Sequence, residues 1–387
     1  MSTIAAVEAF CVNVSPKTHW TFLRIRTDAG ESGWGECSLN SWEPMLIAAV
    51  EMLRGDLVGR STQTALGALA IVLHSPGGTV MHAARSAAEQ AITDIEAQRA
   101  GRPLHAMLRA ESRAAVPAYA NINRGIAERS PEGFAQAARA AVDAGYRNVK
   151  IAPFDGVVSV DAASTPIDDR IARGVDRIRA VRAAIGNHRS LMVDCHWRFD
   201  AGRAEALMRT LRDVGLYWIE CPISEHPAQF SAIGRLRAIA RENGMRLAGG
   251  EAIVAVEQAE SMCAAELYDV LMPDIKYAGG YRGMMAMSRV CALNGVAFSP
   301  HNPSGPIAHL ASVHLSAAAP ALLWLEHQWA ETPRFDALVG GHLPALVDGA
   351  FAVPEEPGLG ATLDLALAAT LPYRPVPKEA LLDERLG

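Results

Sequence analysis

From residue 116 onward, a short and nearly unbroken apolar run closes on a polar residue, a helix-like stretch follows, and the pattern recurs eight times. The runs are VPAYAN, RNVKIAP, SLMVDCH, LYWIECP, MRLAGGE, YDVLMPD, GVAFSPH and LLWLEHQ. Apolar residues at consecutive rather than alternate positions mark strands buried on both faces, as in a parallel sheet with helices outside it. The segments between the runs carry helix punctuation. SPEGFAQAARAAVDAGY opens on Ser130 as N-cap with Pro131 in the first helical position and stops at Gly145. DDRIARGVDRIRAVRAAIG has Ile and Val at helical spacing and stops at Gly186. Eight strand–helix alternations predict an α/β fold, a modified (β/α) barrel over residues 116–339.

The first 115 residues break this rhythm. AFCVNV and WTFLRIRTDAGESGWGEC read as strands with a hairpin at TDAGES, and helical segments lead on to AAEQAITDIEAQRAGRPLHAMLRA. This predicts a separate α+β capping domain over 1–115, completed by a tail, 340–387, that has strand and turn signals but no ninth strand–helix unit.

Composition narrows the class. The 387 residues include 36 Lys and Arg against 42 Asp and Glu, a net charge of −6, with the basic residues scattered. No basic cluster or aromatic ladder points to nucleic acid, and no apolar run is long enough to span a bilayer. Six cysteines without a C-x-x-C pair predict reduced thiols in the cytoplasm. The opening MSTIAAVEAFCVNV lacks the pattern of a secretory leader.

A closed barrel gathers the C-terminal ends of its strands at one mouth. The run ends are Asn121, Lys150, Asp194, Glu220, Glu251, Asp274, His301 and Glu326. Each acid alone could cap a helix or pair with an arginine. Three in successive strands, Asp194, Glu220 and Glu251, repel one another unless a cation lies between them, and an all-oxygen set favours Mg²⁺. Asp274 and His301 end neighbouring strands, so the carboxylate can orient the imidazole as a base, although His301 could also be a plain loop residue. His196, two residues after Asp194, reads either as a second acid/base or as a half-buried histidine bonded to a loop. Lys150 could steady substrate or a metal ligand, or form an ion pair. Glu326 could hydrogen-bond an enolate oxygen if protonated, or cap a turn.

Taken in order, these motifs resemble the enolase superfamily in its mandelate racemase-like branch. GWGEC looks like a capping-domain strand, AAEQAITDIEAQRAGRPLHAML like the helix leading into the barrel, and VDCH, IECPI and AGGE like the three metal-ligand strands. MPDIKYAGGYRG and SPHNPSGPIAHLASVHLSAA resemble the Asp and His segments, and PGLG the returning tail. The resemblance implies Mg²⁺ on Asp194, Glu220 and Glu251. It implies abstraction of the proton α to a carboxylate by His301 with Asp274, with Glu326 on the enolate side. By the same analogy His19, Trp20, Trp42 and Glu43 of the cap, with Asn121, would face substrate, and the chain would form a homo-oligomer. One position departs from the branch: racemases of this type carry Lys-x-Lys on the second strand, and here Ala152 follows Lys150 at that spacing. Asp194-x-His196 is instead similar to acid-sugar dehydratases, in which this histidine serves the leaving hydroxyl.

The expectation is therefore a Mg²⁺-dependent dehydratase that converts a small sugar acid to a 2-keto-3-deoxy acid. The alternatives are an epimerase, racemase or cycloisomerase using His301 and His196 as opposed bases, a Schiff-base aldolase on Lys150, and a non-catalytic sugar-acid-binding barrel.

Overall fold

A computed structural model describes residues 2–70, 77–157, 167–340 and 342–375. Three antiparallel strands, β1 (Ile4–Asn13), β2 (His19–Thr27) and β3 (Ser32–Glu36), form the capping sheet. The β2–β3 turn falls on TDAGES, with Gly30 at φ +85° and Thr27 N donating to Glu31 O at 3.0 Å. Helices Glu43–Leu57 and Gly78–Arg99 pack on this sheet. The glycines of GWGEC make the second contact possible. A Cβ on Gly33 or Gly35 would lie 2.0 Å from the Ala91 or Ala87 carbonyl oxygen, so only glycine lets β3 approach that helix.

The eight apolar runs form eight parallel strands: β4 (Ala115–Asn121), β5 (Asn148–Ile151), β6 (Ser190–Asp194), β7 (Trp218–Glu220), β8 (Arg246–Gly249), β9 (Val270–Leu271), β10 (Ala297–Phe298) and β11 (Leu325–Gln328). They pair in chain order, and β11 returns to β4 with Gln328 opposite Asn121. The barrel closes where Phe298 N donates to Ala321 O at 2.9 Å and Leu323 N to Phe298 O at 2.8 Å. Tyr119, Met192, Trp218, Ala248 and Val270, from five strands, form an apolar cluster of their own, distinct from the core between sheet and helices. This is the filled interior of a barrel.

Helix signals fall where the sequence put them. Ser130 Oγ accepts from Gly133 N at 3.1 Å to cap helix Pro131–Asp143, and Gly145 follows at φ +102°. Strand ends differ from expectation on one side of the barrel. β8, β9 and β10 stop two or three residues short of Glu251, Asp274 and His301. Pro273 and Pro300 lack the N–H that a ladder needs, and Gly250 turns the chain at φ +85°. These three side chains therefore sit on the first turn beyond the sheet.

The tail divides. β12 (Leu346–Val347) and β13 (Ala350–Ala352) form a hairpin that pairs with the start of β4. Further on, Leu359 N donates to Asp94 Oδ1 at 2.8 Å, and Leu371 O accepts from Asn13 N at 2.9 Å, joining the tail to the cap. Among the described residues no helix is long and apolar enough to cross a membrane.

Candidate metal centre and active site

Parallel pairing sets Asp194 of β6 directly beside Glu220 of β7, and the turn after β8 brings in Glu251. One carboxylate oxygen from each lies within 4.8 Å of the others, and all three residues are buried. Their electrostatics are unbalanced. Burial, then the charges of Asp194 and Glu220, push Glu251 well above the ordinary carboxylate range. Burial also drives Glu220 up, to about 8, although Lys150 pulls against it. Asp194 goes the other way, to about 2, because the His196 charge and hydrogen bond outweigh its burial. Glu251 Oε2 is buried without a hydrogen-bond partner. An orphaned carboxylate oxygen facing two more carboxylates is what a hard cation satisfies, so the donor set fits Mg²⁺.

The dyad loops meet beside this triad. His301 Nδ1 lies 2.9 Å from Asp274 Oδ2, and His301 Nε2 lies 3.5 Å from Glu251 Oε2. One ring nitrogen is thus held by a carboxylate while the other faces the metal ligands. Lys276 N donates to Asp274 Oδ1 at 2.8 Å, and its Nζ lies 3.2 Å from Oδ2. Burial raises the Asp274 carboxyl, but Lys276 and His301 together hold it below the usual range, so it is an anion that orients the ring.

His196 sits at φ +46° and Trp197 at φ +56°, left-handed backbone that non-glycine residues rarely adopt. The bend turns the His196 ring back, with Nε2 2.7 Å from Asp194 Oδ2. The side chain is 44% exposed, so it stands at the wet edge of the site.

Lys150 is fully buried, with Nζ 2.7 Å from Glu220 Oε1 and 3.0 Å from Glu326 Oε1. Burial favours the neutral amine, but the two carboxylates overcome it and hold the lysine charged. That overturns its candidacy as a Schiff-base nucleophile, which needs a free neutral amine. Glu326 is tied into the same network. It accepts from Lys150, from Asn121 Nδ2 at 2.6 Å and from Asn302 N at 3.1 Å. Burial raises its pKa, yet Lys150, His301 and these bonds bring it below the ordinary value.

The structure brings together Asp194, Glu220, Glu251, His196, Lys150, Asp274, His301, Glu326 and Asn121. The cap residues make contacts of their own. His19 is buried against the tail, with Nε2 2.7 Å from the Arg374 carbonyl oxygen and Nδ1 3.4 Å from Glu43 Oε1. Trp20 is buried edge-on against Phe335 with ring centres 5.5 Å apart, and Trp42 is half exposed at the start of its helix. Sequence reading missed Trp218, whose Nε1 donates to Glu220 Oε2 at 2.9 Å, and Lys276. Each lies two residues from a site carboxylate.

Fold and site together define a capped (β/α) barrel with a carboxylate site for a cation. The family described as Enolase C-terminal domain-like matches residues 133–367, and the mandelate racemase/muconate lactonizing enzyme N-terminal domain matches residues 7–108. The chain belongs to the enolase superfamily, in its mandelate racemase/muconate lactonizing enzyme group. It is 28% identical over 403 residues to a D-galactonate dehydratase family member from Streptomyces bingchenggensis, covering 96% of this chain and 94% of that protein. It is 27% identical to D-xylonate dehydratase from Haloferax volcanii, covering 94% and 87% of the two chains. A mandelate racemase/muconate lactonizing enzyme-like protein from Roseovarius sp. TM1035 superposes with a TM-score of 0.87 at 24% identity, covering 97% and 96%.

Proposed function

We propose that this protein is a Mg²⁺-dependent dehydratase of a sugar acid, with His301 as the base. The observation that carries the reading is the His301 ring, held by Asp274 on one side and facing Glu251 of the carboxylate triad on the other. Its acid-sugar dehydratase relatives support the reaction class. Asp194, Glu220 and Glu251 would hold Mg²⁺. When bound, the ion supplies positive charge for the substrate carboxylate and for the negative charge that develops as the α-proton leaves.

His301 Nε2 takes the α-proton, while Asp274 fixes the ring and stabilises the imidazolium. Lys150 holds Glu220 and Glu326 in place through its two ion pairs. His196, at the exposed edge, gives a proton to the departing β-hydroxyl, and the resulting enol tautomerises to the 2-keto-3-deoxy acid. The cap, residues 1–115 with the tail, covers a mouth built by 116–339 and excludes water.

We also propose a cytoplasmic homo-oligomer with no nucleic-acid partner. Six free thiols support the compartment. Trp42, Met45 and Met52, exposed on and beside helix Glu43–Leu57, support association, which light scattering would test.

A screen of aldonic and aldaric acids with Mg²⁺, detecting 2-keto acid, tests the function. Product formed from at least one acid and abolished by EDTA is the expected result. Epimerised acid without loss of water would replace dehydration with the epimerase reading.

A further inference from the structure

The two barrel helices that follow the dyad loops begin without side-chain caps of their own. Helix Pro306–Ala318 starts at Gly305, and helix Gly280–Leu293 starts at Gly279. A glycine has no side chain to accept from the free amides of the first turn. In both helices the capping domain supplies the acceptor. Glu36, the last residue of β3, accepts from Gly305 N at 2.7 Å through Oε1 and from Ala308 N at 2.9 Å through Oε2. Glu89, in helix Gly78–Arg99, accepts from Tyr281 N at 2.8 Å and Arg282 N at 3.3 Å, and Ser86 Oγ accepts from Gly279 N at 3.0 Å. Gln90 links the two grips: its Oε1 accepts from Glu36 N at 3.3 Å, and its Nε2 donates to Ile275 O at 3.2 Å.

These contacts have no slack. A Cβ on Gly305 would lie 2.9 Å from both Glu36 carboxylate oxygens, and one on Gly280 would lie 2.1 Å from Glu89 Oε2. Glu36, Glu89 and Gln90 are all buried. What they hold is the dyad. Ile275 directly follows Asp274, and Gly305 ends the short loop that starts at His301. The Asp274–His301 bond joins two loops from separate strands; His301 N donates to Pro273 O at 3.1 Å and Lys276 N to Asp274 Oδ1 at 2.8 Å, and the helices behind these loops set where they meet.

We propose that Glu36 and Glu89 are positioning residues for the Asp274–His301 dyad, and that the body of the capping domain is a fixed part of the active site. The two carboxylates anchor the positive ends of two helices, and through them the loops that carry base and orienting acid. The role in catalysis rests on the dyad assignment made above; the structural coupling does not.

Glu36→Gln and Glu89→Gln keep side-chain size and replace one accepting oxygen with an amide NH2 that cannot accept. In each variant the His301 Nδ1–H resonance, bonded to Asp274 in the unaltered protein, should broaden and exchange with water about tenfold faster or more. Mg²⁺ affinity by calorimetry should stay within about threefold, while kcat on any accepted acid falls about 10²-fold with little change in KM, as a small displacement of a reacting group predicts. An unchanged His301 resonance in a folded variant overturns the proposal, as does a Mg²⁺ affinity that falls in step with it. Neither readout needs substrate, so failure of the dehydratase reading leaves them standing. Should a variant fail to fold, native-state hydrogen exchange on the unaltered protein decides. The amides of Gly305, Ala308 and Tyr281 should be as protected as those of β6 and β7. Local opening of these three while the barrel strands stay closed overturns the proposal.

Discussion

Lys150 Nζ lies 2.7 Å from Glu220 Oε1, and neither side chain is exposed to solvent. The pair sits at the floor of the mouth, where a charge that loses its partner cannot turn to water. Lys150→Met should therefore leave Glu220 and Glu326 uncompensated and cost about 3–5 kcal/mol of stability by urea denaturation. Borohydride added with a 2-keto acid should leave Lys150 unmodified by mass spectrometry. A reduced adduct at this lysine would restore the aldolase reading.

The carboxylate triad predicts linkage between cation and fold. A ligand bound only by the native state adds about 2.7 kcal/mol at a hundred times its Kd, so Mg²⁺ should raise the melting temperature. Asp194→Asn and Glu220→Gln should abolish that rise and all Mg²⁺-dependent turnover while keeping the circular dichroism of the unaltered protein. An equal rise in the variants would place the cation elsewhere.

The two histidines should fail differently. His301→Asn removes the base, so exchange of the substrate α-proton with deuterated solvent should vanish. His196→Asn should lower dehydration about 10²–10⁴-fold, the usual contribution of a general acid, while exchange persists. Because His196 touches Asp194 at 2.7 Å, Mg²⁺ affinity must be measured alongside. Exchange lost with His196→Asn but kept with His301→Asn would reverse the roles.

A buried histidine far from the chemistry predicts a pH effect. His105 N donates to His314 Nδ1 at 3.3 Å, and His314 Nε2 lies 3.2 Å from the Leu359 carbonyl oxygen, so the neutral ring is used at both nitrogens. Burial lowers its pKa to about 4. Between that value and the ordinary one near 6.5, the unfolded chain binds the proton and the folded chain does not, so stability is lost as pH falls. The difference in stability between the unaltered protein and His314→Leu should narrow through this window, by about 1.4 kcal/mol per pH unit at most. A difference that is flat with pH would mean that the ring protonates without unfolding.

The sequence alone determined the barrel, the cap and the letters of the site. Strands buried on both faces must be apolar at every position, so the eight runs were visible, and a polar residue closing each run stood out against them. Local rules placed Ser130 and Gly145 for the same reason: caps and turns are decided within a few residues. What tertiary structure decided lies between segments far apart in the chain. Proline and a left-handed glycine ended β8 to β10 early and moved Glu251, Asp274 and His301 onto turns. Barrel closure set Lys150 between Glu220 and Glu326, which made the lysine a fixed cation. Glu36 and Glu89 read as ordinary acids of a strand and a helix until the cap met two uncapped helix ends. Charge state and hydrogen-bond partners depend on burial and on neighbours that only the folded chain brings together, and no local pattern encodes them.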